Sequence, residues 1–374
     1  MEEHLLKTDN YVRFKTPENA EAQLADQKKQ FKLIFEEYKY NLDEEHVQYF
    51  ERSFNAIFRI PLAYALAKVH KEFLCFRPII SSCGSFPELF SIFNDEYLKV
   101  LVQDVLLTYI ISSEQLINTL LKEFPRCLPF GAMLFSVDAI NMYGNIGTQH
   151  GIEIIQEFVR LYGKDIAAKF NVPEEFIIKT LELIMRRNIL QYGDTFWKQI
   201  NGAAMGTSCA VNYAFLYMGL LEMLSLLKDY SDYLLFYSRF IDDGFGIWLT
   251  NRPGSAQAWE DFKRRLNKWR ELKWTNTGFV KSVVFLDLTI KINDKRELEF
   301  FNYRKPMNLS LYLPPNSSHS PDVLRSIIFG PVRAYFLHCT YNKYFVDCID
   351  IEKPGYSLGR AVVSLEIQIL SINR

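Results

Sequence analysis

Three aspartates carry the chemistry in this sequence: Asp138, closing the apolar run AMLFSVD (132–138), and the adjacent Asp242 and Asp243 inside LLFYSRFIDDGFGIWLT (234–250). Magnesium takes hard oxygen ligands, and in phosphoryl chemistry it is commonly held by one or two carboxylates and completed by substrate phosphates. A pair of such ions stabilises both the attacking and the leaving oxygen of an in-line displacement at phosphorus. A strand ending on one carboxylate and a hairpin carrying two at its tip would bring all three to one sheet edge. Asp-Gly is also a favoured hairpin centre, so on the hairpin alone Asp242-Asp243-Gly244 is better explained as turn chemistry. The setting argues the other way: the carboxylates are embedded in apolar strands, and charge buried without a metal or a partner is costly.

The elements that must position these residues are legible around them. Residues 17–60 have helical spacing, with Phe31, Ile34, Phe35 and Tyr38 on one face, ending before Pro61. RPIISS (77–82) predicts a short strand and 95–123 a return to helix. Gly151 to Leu161 predicts a helix, and Asn171, Pro173 and Glu174 announce another running to about Arg187. ILQYGDTFWKQI (189–200) predicts a hairpin about Gly193-Asp194. Residues 208–227 form an apolar helix long enough to invite a membrane reading, but Glu222 and the polar Ser, Asn and Tyr positions favour a core helix packed on a sheet. Residues 255–271 predict a basic amphipathic helix, followed by a hairpin of VVFLDLTIKI with ELEFFNYRK across Asn293-Asp294. Strand runs with helices to one side define an α+β class with an antiparallel sheet.

Composition sets the outer bounds. The 374 residues are 49% hydrophobic and 15% aromatic, enough for a sizeable core and more than one subdomain. With 43 basic and 44 acidic residues the formal charge is −1, so any nucleic-acid footprint must be local. The six cysteines, Cys75, Cys83, Cys127, Cys209, Cys339 and Cys348, form no C-x-x-C pair, which excludes a zinc knuckle and a dense disulfide framework. MEEHLLKTDN lacks the marks of a secretory signal, and a soluble intracellular protein, nuclear or cytoplasmic and without a membrane partner, is expected.

In order along the chain, FSVDAINMY (135–143), NGAAMGTSCAVNYAFLYM (201–218), RFIDDGFGIW (239–248) and VVFLDLTI (283–290) resemble reverse-transcriptase motifs A, B, C and the segment beyond D. Their wording is most similar to Penelope-like retroelement reverse transcriptases, relatives of telomerase. YALAKVHKEFLCFRPIISSCGS (64–85) resembles that family's fingers segment, and RKPMNLSLYLPPNSSHSPDVLRSII (304–328) its segment after the palm. The likeness spans residues 61–340, with departures at Ala67 and Ser320, where the family usually has proline.

That resemblance implies a right-hand polymerase. Its parts would be an N-terminal helical region (1–60), fingers (61–130), a palm (131–300, with a helical insertion at 151–187), and a primer grip with a partial, short thumb (301–374). It implies an RNA-directed DNA polymerase adding dNTPs to a primer 3′-hydroxyl on an RNA or DNA template, with two Mg²⁺ ions, or Mn²⁺ in their place. Asp138 and Asp242 would ligate metal, Asp243 would help place the metal or the primer end, and the Ala139 carbonyl would add a ligand. Tyr143, five residues after Asp138, stands where the family carries an aromatic gate against the ribose 2′-hydroxyl. Lys68, Lys71 and Arg77 would hold the triphosphate. Gly202, Ala203, Ala204, Met205 and Gly206 would let backbone approach the nucleotide closely. Tyr312, Ser318 and His319 would meet primer or template, and Lys273 or Lys281 would protonate pyrophosphate.

Two other functions fit the same residues: a non-catalytic nucleic-acid-binding scaffold, against which three intact aspartates argue, and a template-independent terminal nucleotidyltransferase. No Gly-Ile-Tyr and Tyr-Ile-Gly endonuclease signature is present, and the segment after residue 340 is short for a full thumb.

Overall fold

A computed structural model describes residues 5–6, 9–67, 76–303 and 318–345. The architecture is α+β, with a helical N-terminal region, further helices interspersed among the strands, and antiparallel sheets in which β2 meets β5 in parallel. The chain divides into two compact units. The first comprises Met1–Tyr109, Val137–Gly244 and Pro253–Asn276; the second comprises Ile110–Ser136, Phe245–Arg252 and Thr277–Arg374.

In the first unit the N-terminal helices form where the apolar spacing predicts them. Pro17–Tyr38 starts on Pro17, which needs no helical N–H partner. Glu44–Phe54 is capped by the Asp43 carboxylate, which accepts from the His46 N–H at 2.8 Å, with Glu44 and Glu45 in the first turn to complement the helix dipole. These helices bury rings against helix Phe86–Val105: Phe31 stacks on Phe90 at 4.2 Å and Phe50 on the same ring at 4.7 Å. Helix Thr148–Phe170 ends on Asn171, whose φ of +51° terminates it, and helix Glu174–Arg186 follows.

A five-stranded sheet in this unit has the order β1 (Tyr11–Arg13), β6 (Thr195–Gln199), β5 (Asn188–Tyr192), β2 (Leu62–Ala67) and β3 (Phe76–Ser81). The β5–β6 hairpin turns on Gly193-Asp194 as expected, Gly193 supplying the positive φ of +56°. The pairing of β1 with β6 has no local signal in the sequence.

A four-stranded sheet has the order β7 (Leu234–Phe240), β8 (Asp243–Leu249), β4 (Ala132–Ala139) and β9 (Trp274–Asn276). Residues 137–139 and 243–244 belong to the first unit, and 132–136 and 245–249 to the second. Helix Ala210–Leu221 is buried along nearly its whole length, which explains an apolar character with little sidedness. With its continuation it forms a segment, Ala210–Asp229, long and apolar enough to cross a membrane by length and composition, but 72% of its apolar window is buried inside the protein.

The second unit contains a meander of β10 (Ser282–Phe285), β11 (Leu288–Ile292) and β12 (Leu298–Asn302). VVFLDLTIKI is therefore two strands rather than the single strand expected, because the chain reverses at Leu286-Asp287 with Leu286 at φ +56°. Val283, Phe285, Leu288 and Ile290 face inward on this meander, and helix Pro321–His338 belongs to the same unit.

Candidate active site

β7 and β8 are joined by Ile241 and Asp242, so Asp243 and Gly244 are strand residues and not the hairpin centre expected from Asp-Gly chemistry. Packing, not turn geometry, calls for glycine at 244. A Cβ there would lie 2.6 Å from Val137 Cγ2 and 2.8 Å from the Tyr237 hydroxyl. The left-handed turn position falls instead on Ile241, at φ +52°. For a β-branched residue that conformation is a true outlier, costing about 1–3 kcal/mol, and it persists only where the surroundings impose it.

Asp138 is exposed at the end of β4, and Asp242 and Asp243 are half-buried. Burial of charge therefore does not mark this site as the apolar flanking sequence suggested: strand ends project their carboxylates outward while the flanks pack inward. The Ala139 N–H donates to the Asp242 carbonyl at 2.9 Å, tying the end of β4 to the turn. On the other side of β4, Asp138 pairs with Thr275 of β9, and the Ile140 N–H donates to the Lys273 carbonyl at 2.8 Å. The two sequence-distant carboxylate segments are thus neighbours at one sheet edge. Among the described residues, no three His, Cys, Asp or Glu side chains are gathered closely enough to hold a metal ion by themselves.

Tyr143 is half-buried beyond the end of β4. Burial pushes its hydroxyl up to about 12; the Asp242 carboxylate adds to the rise and the Arg77 guanidinium opposes it. Residues from three separate sequence motifs therefore share one electrostatic neighbourhood.

The loop at 202–206 is fastened on both sides of that neighbourhood. The Ala203 N–H donates to the Tyr143 carbonyl at 2.7 Å, the Ile80 N–H to the Met205 carbonyl at 2.7 Å, and the Ser82 hydroxyl to the Gly206 carbonyl at 2.9 Å. Gly202 (φ +85°) and Gly206 (φ +110°) are the positions where only glycine fits. A Cβ would stand 2.9 Å from the Tyr143 carbonyl oxygen at the first and 2.4 Å from the Ile80 carbonyl oxygen at the second. Ala203 and Ala204 are buried and Met205 is half-buried.

Lys68, Lys71 and Tyr312 lie outside the described residues. Ser318 and His319 are exposed and belong to the second unit, as does the exposed Lys281. Lys273 is in the first unit, its ammonium donating to the Asn267 carbonyl at 3.3 Å.

Sequence reasoning missed two supports of the site. Asn10, just before β1, donates to the Gly144 carbonyl at 2.9 Å, next to Tyr143, and its own carbonyl accepts from the Ile200 N–H at 2.8 Å. Arg239 and Glu222 form a fully buried ion pair behind the Asp242 turn. A signal for the pair existed: each is a lone charge within an apolar run, and Glu222 was weighed only as evidence against a membrane helix.

With an antiparallel α+β fold and this sheet-edge site established, comparison with known proteins adds the following. No protein-family model and no curated protein matches the chain. Among solved structures it is similar to telomerase from Candida tropicalis in complex with the TWJ fragment of telomeric RNA, at 11% identity and a TM-score of 0.49, over 88% of this chain and 58% of that one. It is also similar to telomerase from Candida albicans with the same kind of fragment, at 11% identity and a TM-score of 0.46, over 67% and 48% of the two chains. A third is the BmCPV RNA-dependent RNA polymerase at its elongation state, at 14% identity and a TM-score of 0.48, over 67% of this chain and 22% of that one. The chain spans about half the length of these telomerase chains and under a quarter of the viral polymerase.

Proposed function

We propose that this chain is a template-directed nucleic-acid polymerase of the reverse-transcriptase type, adding dNTPs to a primer 3′-hydroxyl. The observation that carries the reading is that the Ala139 N–H at the end of β4 is bonded to the Asp242 turn, while the glycine-flanked loop 202–206 is bonded both to Tyr143 and to β3, the strand that carries Arg77. A carboxylate for metal, an aromatic gate for the sugar and a cation for phosphate are the three functions nucleotide addition needs at one place. The motif order supports the finer, Penelope-like assignment, with 61–130 as fingers, 131–300 as palm and 301–374 as primer grip and partial thumb.

The donor set fits magnesium in kind. Asp138, Asp242 and Asp243 offer hard oxygens at adjoining chain segments, and the Ala139 carbonyl is beside them. The carboxylates do not form a closed cage, which matches an ion completed by triphosphate oxygens and water. Bound there, two Mg²⁺ ions would supply charge stabilisation at the attacking and leaving oxygens. The protein's own part is to hold the carboxylates at the sheet edge, to admit the triphosphate past Arg77, with Lys68 and Lys71 assigned the same task, and to present the Tyr143 ring to the sugar. Tyr143 remains a neutral phenol at physiological pH, so it acts by shape and hydrogen bonding, without adding a third charge beside Asp242.

Extension of a labelled primer by the full chain on defined RNA and DNA templates, with Mg²⁺ or Mn²⁺, tests the reading. Template-dictated products that vanish in Asp242→Ala, with the melting temperature kept, are expected; full activity in that variant would sink it. Products independent of the template would indicate terminal transfer. Tyr143→Ala should raise ribonucleotide use relative to deoxynucleotide use. Duplex binding with no extension under either metal would instead indicate a nucleic-acid-binding protein without catalysis.

A further inference from the structure

Behind the Asp242 turn, the Arg239 and Glu222 side chains are both fully shielded from solvent. The Arg239 Nε donates to one Glu222 oxygen and Nη2 to the other at 3.1 Å, the bidentate form of the pair. The Thr108 hydroxyl donates to Glu222 Oε2 at 2.6 Å, and the Arg239 N–H donates to the Thr108 carbonyl at 2.7 Å. Two further guanidinium protons go to backbone carbonyls. Nη2 reaches the Phe215 carbonyl and Nη1 the Ile241 carbonyl, each at 2.8 Å.

The Ile241 contact is the telling one. Ile241 is the residue with φ +52° immediately before Asp242. Glu222 in turn opens a π-helical stretch, Glu222–Leu226, a local irregularity of the kind found at functional sites. Its charge, after burial, also raises the Tyr237 hydroxyl well above its ordinary value, and that hydroxyl lies where a Cβ on Gly244 would be 2.8 Å away.

Stability does not account for this arrangement. A buried ion pair can often be replaced by apolar residues of similar volume without loss, because desolvation offsets the attraction. An apolar replacement cannot donate to the carbonyl of a strained residue. We propose that Arg239, anchored by Glu222 and Thr108, is a positioning residue. It holds Ile241 left-handed and thereby sets the direction in which Asp242 and Asp243 present their carboxylates. The catalytic part of this inference rests on the polymerase reading above; the conformational part does not.

The test uses the full chain carrying Arg239→Met, Glu222→Leu and Thr108→Val together, which removes the network while keeping volume. Expected are a melting temperature close to the parent's, faster amide hydrogen exchange across residues 240–244 with helix 17–38, which lies outside the network, unchanged, and at least a tenfold fall in extension rate at saturating dNTP. The Mg²⁺ concentration for half-maximal rate should rise, a change a merely structural role would not produce. Should the triple variant fail to fold, Arg239→Lys with Glu222 intact serves in its place. It keeps the charge but loses the fork, and the same exchange and Mg²⁺ shifts are expected. Unchanged exchange in the turn together with an unchanged Mg²⁺ requirement would overturn the proposal. A parent chain that extends no primer, while the variant shows the exchange change, would reject the polymerase reading and leave the positioning role standing.

Discussion

Two regions of the first unit are built on opposite principles. Under the N-terminal helices, Phe50 is wholly buried among Phe90 at 4.7 Å, Phe93 at 5.0 Å, Phe176 at 5.5 Å and Phe35 at 5.7 Å. Apolar area and ring packing dominate that region, with the buried Asn94 amide satisfied by the Thr180 hydroxyl at 3.0 Å. At the β7–β8 turn a β-branched residue is held left-handed, carboxylates face outward, and a buried ion pair sits behind. The first region stores stability. The second uses it, since strain and like charge persist only where the surrounding structure imposes them.

Substitutions can break or sharpen that contrast. The largest expected effect is Phe50→Ala, which should destabilise the chain by about 3–5 kcal/mol in urea unfolding, the range for truncating a buried ring. A loss below about 1 kcal/mol would show that the aromatic cluster is not a core. Gly244→Ala should cost about 1–3 kcal/mol, the range for overpacking, because the new methyl meets Val137 and Tyr237. Extension should fall with it, since β8 must shift where Asp243 begins; a variant of parental stability would mean that the strand yields freely.

Ile241→Asn is expected to change stability in the opposite sense to Phe50→Ala, raising it by about 1 kcal/mol, because asparagine tolerates the left-handed region. If unfolding midpoints show both variants destabilised alike, the turn is held by ordinary packing and the contrast collapses.

The smallest effect is a pH slope. His150, bonded to the Tyr217 hydroxyl at 3.0 Å, is lowered below its ordinary value by burial and then by Arg270. Below pH 6.5 the unfolded chain therefore binds more protons at this residue than the folded one, so its contribution is present above 6.5 and lost as pH falls through the lowered value. Urea midpoints at pH 7 and pH 5 should differ less in His150→Gln than in the parent; an equal difference would remove His150 from the acid response.

How far the sequence could be read follows the same division. The first region was legible because helical spacing is local: Phe31 and Phe35 share one face, in the sequence as in the fold. The β5–β6 hairpin was legible for the same reason, Gly193-Asp194 being sufficient turn chemistry. At the site, local rules gave the carboxylate hairpin but the wrong turn geometry. Asp-Gly favours a turn centred on Asp243-Gly244, yet close packing of Gly244 against Val137 places these residues in β8 and moves the turn to Ile241-Asp242. The split of VVFLDLTIKI at Leu286-Asp287 escaped in the same way, since leucine carries no turn signal.

By itself, then, the sequence placed carboxylates at strand ends and determined the α+β class, through hydrophobic period and turn residues. Only the tertiary structure decided which residues share a neighbourhood. It tied the end of β4 to the Asp242 turn, linked Tyr143 through the 202–206 loop to the strand of Arg77, drew β1 and Asn10 against β6 and Gly144, and joined Glu222 to Arg239. The physical reason is range. Periodicity and capping act over a few residues and are written in order along the chain. Contacts between segments a hundred residues apart depend on which faces finally pack, and no local pattern records that.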